Sequence, residues 1–519
     1  MVETVLSLRR YPTTRTVAVG TLWNVLGRAV PQLVALITIP LLINMLGPSR
    51  FGIFALAMAL IGVSGLVDLG IGRALTRGVA ERLHAEHEDQ AAVLVKTGLL
   101  VLGCLGIVSG LVAASLAHTL AYHVISVPAE LRHETEMALY VICMTIPLVV
   151  LNSALWGVIT ALDLFRPGNL ASGTIVALSY AGQLLILYVF NSLAAVMLVF
   201  FASRIVSLLA YWKLCRDAMP RLATSRIDRA DIRPLLRIGG WMTVSNIVFP
   251  ILGCIDRFMI AMVLSAAAVG YYATPSELMG RVHIITGATM ISLFPAIAAS
   301  YRINPLGATA LFGRSIITMC AVLFPVAAVA GAFSNELLTL WVGADYASNA
   351  APVLRILAAS TLLAAADGIV VTLLDAIGLP KINAKFSVVE LILYVPLLFL
   401  ALHLFGYVGA AVAYVFRVAI DFHVRLWLAG KFYPAIAPTG RRVALTALTG
   451  TALLLAPSLV SGLAARCVGV CLVTAVFAAV VYTRSATAEE RLRFRSQLSA
   501  MWSRLPAGRA ASRIWRGAR

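Results

Sequence analysis

The chain has 519 residues, 61% of them hydrophobic and 12% charged, whereas a soluble domain carries about 25% charged residues. Its net charge is +18, but Lys and Arg sit in short segments between apolar runs, which is a membrane pattern and argues against nucleic acid as the partner. The seven cysteines are odd in number and scattered, which excludes a disulfide framework.

The N-terminal segment MVETVLSLRRYPTTRTVAVG places positive charge before an apolar run. That run is too long for a signal peptide, so it reads as a cytoplasmic start leading into a first spanning helix. Division at charged and Gly/Pro breaks predicts about fourteen spans of roughly 20 residues. They fall near 17–46, 52–76, 97–118, 136–162, 169–190, 193–212, 238–263, 269–299, 315–335, 352–378, 386–404, 406–430, 443–463 and 467–483. With the N-terminus inside, the loops on the opposite side retain only Arg50, Arg132 and Arg466 of the 41 Lys and Arg. This imbalance predicts cytoplasmic N- and C-termini.

The expectation is therefore an all-α polytopic membrane protein. The polar connection RDAMPRLATSRIDRADIRPLLR, 216–237, separates two groups of six spans. Residues 1–237 form the first six-helix bundle with its connector, 238–442 the second, 443–483 two additional helices and 484–519 a basic cytoplasmic tail. Leu492, Phe494, Leu498, Met501, Trp502 and Leu505 give that tail near-helical apolar spacing, as in a helix lying on anionic lipid. LGPSRFGIFALA, 46–57, and LSAAAVGYYATP, 264–275, match at an offset of 218 residues, and each joins the first two spans of its half. Two pseudo-symmetric halves are a plan used by secondary transporters.

Fourteen charged residues fall inside predicted spans: Arg28, Asp68, Arg73, Arg204, Asp256, Arg257, Glu277, Arg281, Arg355, Asp367, Asp375, Glu390, Arg417 and Asp421. A charge at mid-bilayer costs about 3 kcal/mol, so such residues face partners or a wet cavity. Glu277 and Arg281, and likewise Arg417 and Asp421, stand four apart and can pair along one helix face. Arg28 and Arg257 lie on proline-containing spans (Pro31, Pro40, Pro250), where freed carbonyls accompany a cavity. Their guanidinium forks suit phosphate oxygens. Arg28, Arg73, Arg257 and Arg281 are the candidate substrate contacts; Asp68, Asp256, Glu277, Asp367 and Glu390 are the candidates for gating or ion coupling.

Other motifs carry little. HAEHEDQ at 84–90 has no zinc spacing and reads as a solvated charge run; GIG at 70–72 follows no strand. His118, His123 and His133 read as interfacial histidines. Nothing calls for catalysis, a metal or a cofactor.

LGPSRFGIFALAMALIGVSGLVDLGIGRALTRGVAE, 46–81, echoed faintly by VGYYATPSELMGR, 269–281, resembles the Wzx-type flippases, the polysaccharide-export branch of the MOP exporter superfamily. The resemblance implies two six-helix bundles plus two C-terminal helices, in the bacterial cytoplasmic (inner) membrane. It also implies translocation of a polyprenyl-pyrophosphate-linked oligosaccharide for exopolysaccharide or O-antigen synthesis by alternating access. Membrane lipids surround such a protein, and a polysaccharide polymerase and glycosyltransferases are its expected partners. Two alternatives stay open: an H⁺- or Na⁺-coupled drug or cation antiporter of the same superfamily, and a membrane-embedded polysaccharide polymerase or ligase.

Overall fold

The structure is a computed structural model. It describes residues 14–64, 71–84, 87–228 and 232–485, with the backbone alone at 14–30, 64, 73, 84, 233–247, 249, 458–459 and 484–485. Asp68 and the basic tail lie outside the described residues. Every regular element described is a helix.

The α-helices in chain order are α1 (Thr14–Ser64), α2 (Ile71–His84), α3 (Glu88–Thr119), α4 (Arg132–Ala161), α5 (Phe165–Phe190), α6 (Leu193–Ala218), α7 (Ile232–Val263) and α8 (Ala266–Val282). They continue with α9 (Ile284–Ser300), α10 (Pro305–Ala332), α11 (Ser334–Val342), α12 (Ala344–Ala376), α13 (Pro380–Phe432), α14 (Ala437–Leu455) and α15 (Leu463–Val480). Among the described residues, nine helices are long and apolar enough to cross a bilayer, or ten when α8 and α9, bent by 42°, count as one span. Two of the nine are double. The 53 residues of α13 would extend about 80 Å as a straight helix, far beyond a bilayer core of about 30 Å.

The breaks have a local cause. Gly406 in α13 sits at φ 60°, ψ −150° and Gly47 in α1 at φ 74°, ψ 169°. These regions are open to glycine and costly for any residue with a Cβ. Each glycine therefore ends one apolar arm and starts another, at the boundaries between predicted spans 17–46 and 52–76, and 386–404 and 406–430. The expected fourteen spans count these arms separately and include the helical segments α7 and α14.

The described residues form two compact units. The first comprises Met1–Glu277, Asn335–Val353 and Ala384–Tyr414; the second comprises Leu278–Ser334, Leu354–Asn383 and Val415–Arg519. The first unit thus takes in residues from beyond the sequence division at 238.

Within the first unit, α2, α3, α4 and α6 share a core containing Leu75, Val79, Val95, Leu102, Val150, Leu155 and Tyr211. Gly106 and Gly110 bring α3 directly against α4: a methyl group at either would stand 2.8 Å from backbone atoms of Pro147 or Cys143. Small residues four apart permit this close approach where lipid supplies no hydrophobic driving force between helices. Leu178, Leu185 and Val189 on α5 are each at least 66% exposed, which is the apolar outer face a bilayer covers.

Within the second unit, Phe324 of α10 stacks on Phe477 of α15 at 4.1 Å between ring centroids. The Tyr433 hydroxyl donates to the Pro305 carbonyl in the first turn of α10 at 3.0 Å. Arg466, one of three basic residues expected on the far side, donates to the Ala332 carbonyl at 3.1 Å and so ties α15 to the end of α10.

Candidate functional site

The embedded charges of the first unit gather where α7 turns into α8. Only Leu264 and Ser265 separate these helices, so residues at similar distances from the turn face one another. Asp256 lies seven residues before the end of α7 and Tyr272 six after the start of α8, about 10 Å from the turn on either side. Tyr272 Oη donates to Asp256 Oδ2 at 2.7 Å. From the first arm of α13, Tyr394 Oη donates to Asp256 Oδ1 at 2.5 Å. Both carboxylate oxygens of a 6% exposed residue are thus satisfied. Hydrogen bonds to a charged group contribute about 1.5–3 kcal/mol each, which offsets much of the desolvation of a buried carboxylate.

The neighbouring Arg257 uses the length of its side chain differently. Its Nη2 donates to Glu277 Oε1 at 2.7 Å; the arginine side chain is 15% exposed and the glutamate 42%. This ion pair runs from the protein interior toward open space. Glu390, 7% exposed, lies one helical turn before Tyr394 on α13.

A separate group lies in the second unit. Arg425 Nη1 donates to Asp367 Oδ2 at 2.6 Å and stands 4.0 Å from Asp421, one turn earlier on α13. Arg425 is 2% exposed. Asn383 Nδ2 donates to Asp375 Oδ1 at 3.3 Å, and Arg281 is half-buried. Elsewhere, Arg204 lies over the Phe200 ring at 4.5 Å. His118 Nδ1 is 2.9 Å from Glu136, whose other oxygen is 3.9 Å from His133 Nδ1, so the histidine cluster gathers around a carboxylate.

Of the sequence candidates, the structure brings Arg257 and Glu277 together and surrounds Asp256 with hydroxyls. Arg28 and Arg73 lie on α1 and α2 with side chains outside the description. Sequence reasoning missed Tyr272, Tyr394 and Arg425. The available signals were a tyrosine one turn from Glu390 in an apolar span, and a third charge continuing the four-residue spacing of Arg417 and Asp421.

Comparison with known proteins now bears on this arrangement. Residues 17–300, more than half of the chain, match the family model described as Polysaccharide biosynthesis protein. The chain belongs to that polysaccharide biosynthesis family. A relative in Shigella flexneri whose assigned name is that of an O-antigen transporter is 26% identical over 412 residues, covering 79% of this chain and 96% of the relative. Among solved structures, the lipid II flippase MurJ in an inward closed conformation aligns with TM-score 0.67 at 12% identity, over 89% of this chain and 99% of its own. An inward-facing multidrug resistance MATE transporter of the MOP superfamily aligns with TM-score 0.66 at 14% identity, over 80% and 99%. These two likenesses establish a shared fold. With its apolar helices, this member of the polysaccharide biosynthesis family is a multi-pass membrane protein of the Wzx flippase type.

Proposed function

We propose that the protein carries a polyprenyl-pyrophosphate-linked oligosaccharide from the cytoplasmic to the outer leaflet of a bacterial inner membrane by alternating access. In this reading residues 1–237 and 238–442 are the two halves that rock, and both termini are cytoplasmic. The observation that carries it is an embedded guanidinium whose partner can be exchanged. Arg257 is 15% exposed, yet the carboxylate that holds it is 42% exposed. A pyrophosphate reaching that boundary competes with Glu277 for the same fork of donors, and Arg binds phosphate oxygens in bidentate fashion. Arg28, Arg73 and Arg281 are assigned to the same cationic path, and Asp68, Asp256, Glu277, Asp367 and Glu390 to gating or coupling. The family match and the name of the Shigella flexneri relative support the substrate class. A polymerase and glycosyltransferases are the proposed partners that consume and supply the lipid-linked sugar.

The Asp256 cluster favours a second reading, an H⁺- or Na⁺-coupled antiporter of cationic drugs. Purified protein in vesicles separates the two. A lipid-linked oligosaccharide should become accessible to an impermeant glycosidase on the opposite leaflet, while a cationic dye shows no protein-dependent uptake. Dye transport without lipid flipping would reverse the assignment.

A further inference from the structure

The two copies of the internal repeat meet. A Cβ on Gly52 would stand 1.7 Å from the carbonyl oxygen of Ala266, and one on Gly270 would stand 2.8 Å from that of Pro48. Advancing 52 by the repeat offset of 218 gives 270, and advancing 48 gives 266. The contact is therefore reciprocal: each repeat lays its glycine on the backbone of the other, all within the first unit. Backbone lies on backbone at both glycines, with the Tyr346 hydroxyl 3.1 Å from the same Cβ position of Gly270, so neither position has room for a side chain.

Two straps flank it. The loop after α3 crosses to the α7–α8 turn: Ser126 N donates to the Ala261 carbonyl at 2.9 Å, and Ala266 N donates to the Ser126 carbonyl at 3.1 Å. From the second half, Trp341 at the end of α11 donates from Nε1 to the Leu36 carbonyl at 2.7 Å. In an unbroken helix that carbonyl would accept from the N–H of residue 40. Residue 40 is proline and has no N–H. Pro40 thus leaves open the acceptor that Trp341 takes, and the bond can break without disturbing the helical ladder of α1.

We propose that these contacts form a gate closing one end of the transport path, with Gly52 and Gly270 as its seal and Trp341 on Leu36 as its releasable latch. The inference rests on the alternating-access reading above. The charge pattern assigns the connections carrying Arg50, Ser126, Ser265 and Trp341 to the side opposite the termini, so this is the outer gate, which opens to release the lipid-linked product.

The test has two arms on full-length protein. In the first, Ser126→Cys and Met262→Cys, at positions where the Ser126 hydroxyl donates to the Met262 carbonyl at 3.3 Å, are cross-linked in a variant lacking the native cysteines. Flipping in vesicles should fall at least tenfold and return on reduction; flipping at the uncross-linked rate would overturn the gate. In the second, amide exchange is followed over 264–270 and 305–320. Trp341→Phe, Pro40→Ala and their combination should each raise exchange over 264–270 about fivefold, the factor for one hydrogen bond. The combination should exceed neither single change, because both remove the same bond, and 305–320 should not move. Unchanged exchange, or effects that multiply, would overturn the latch. Protein that flips lipid but shows neither response fails this proposal alone; wild-type protein that flips nothing fails the transport reading instead.

Discussion

Asp256 and Tyr394 stand 138 positions apart in the chain and meet at 2.5 Å inside the first unit. With Tyr272 on the other oxygen at 2.7 Å, each carboxylate oxygen accepts a tyrosine hydroxyl. Tyr394→Phe and Tyr272→Phe should each lower stability by about 1.5–3 kcal/mol, the worth of a hydrogen bond to a charged group. The double replacement should cost more than the sum, since it leaves a buried charge with neither donor. Thermal unfolding of the four proteins in detergent measures this coupling.

Arg425 is the second case of a buried charge held by a distant partner. Removing it as Arg425→Leu leaves Asp367 and Asp421 close together without their shared cation, and should cost about 3–5 kcal/mol. Replacing Asp367 as well, by Leu, should recover part of that loss, because a hydrophobic pair is tolerated where a half-pair is not. A double-mutant cycle in thermal stability reads the difference.

The helices were legible in the sequence because an apolar run of bilayer length leaves the backbone no other way to satisfy its hydrogen bonds. The breaks at Gly47 and Gly406 were legible for a related reason, since glycine divided two adjacent runs. The partners of the charges were not. Spacing along one helix relates Glu277 to Arg281 but says nothing of Arg257, from which Glu277 accepts, because that contact exists only where a two-residue turn folds α8 back on α7. No spacing in the sequence relates the hydroxyls of Tyr272 and Tyr394 to Asp256; the fold brings them there.

Gly406→Ala should destabilise the protein by about 1–3 kcal/mol, because alanine is strained at φ 60°, ψ −150°. Gly430→Ala, near the end of the same helix with nothing within 4 Å of the added methyl, should be neutral or slightly stabilising. Paired measurements of membrane abundance and thermal midpoint distinguish the two; equal losses would contradict the conformational explanation.

Glu277→Gln removes the charge that competes for Arg257. If pyrophosphate displaces this carboxylate, the variant should bind a pyrophosphate-bearing lipid several-fold more tightly and turn over more slowly, because release no longer has a returning carboxylate. Equilibrium binding and flipping rate on the same preparation check both halves of the prediction.

The most direct measurement is the flipping of a pyrophosphate-linked oligosaccharide lipid in vesicles by wild-type protein, Arg257→Lys and Arg257→Ala at matched abundance and thermal stability. The account predicts at least a tenfold loss for alanine and partial retention for lysine, which keeps the charge and loses the bidentate fork. Wild-type rates from Arg257→Ala would contradict it.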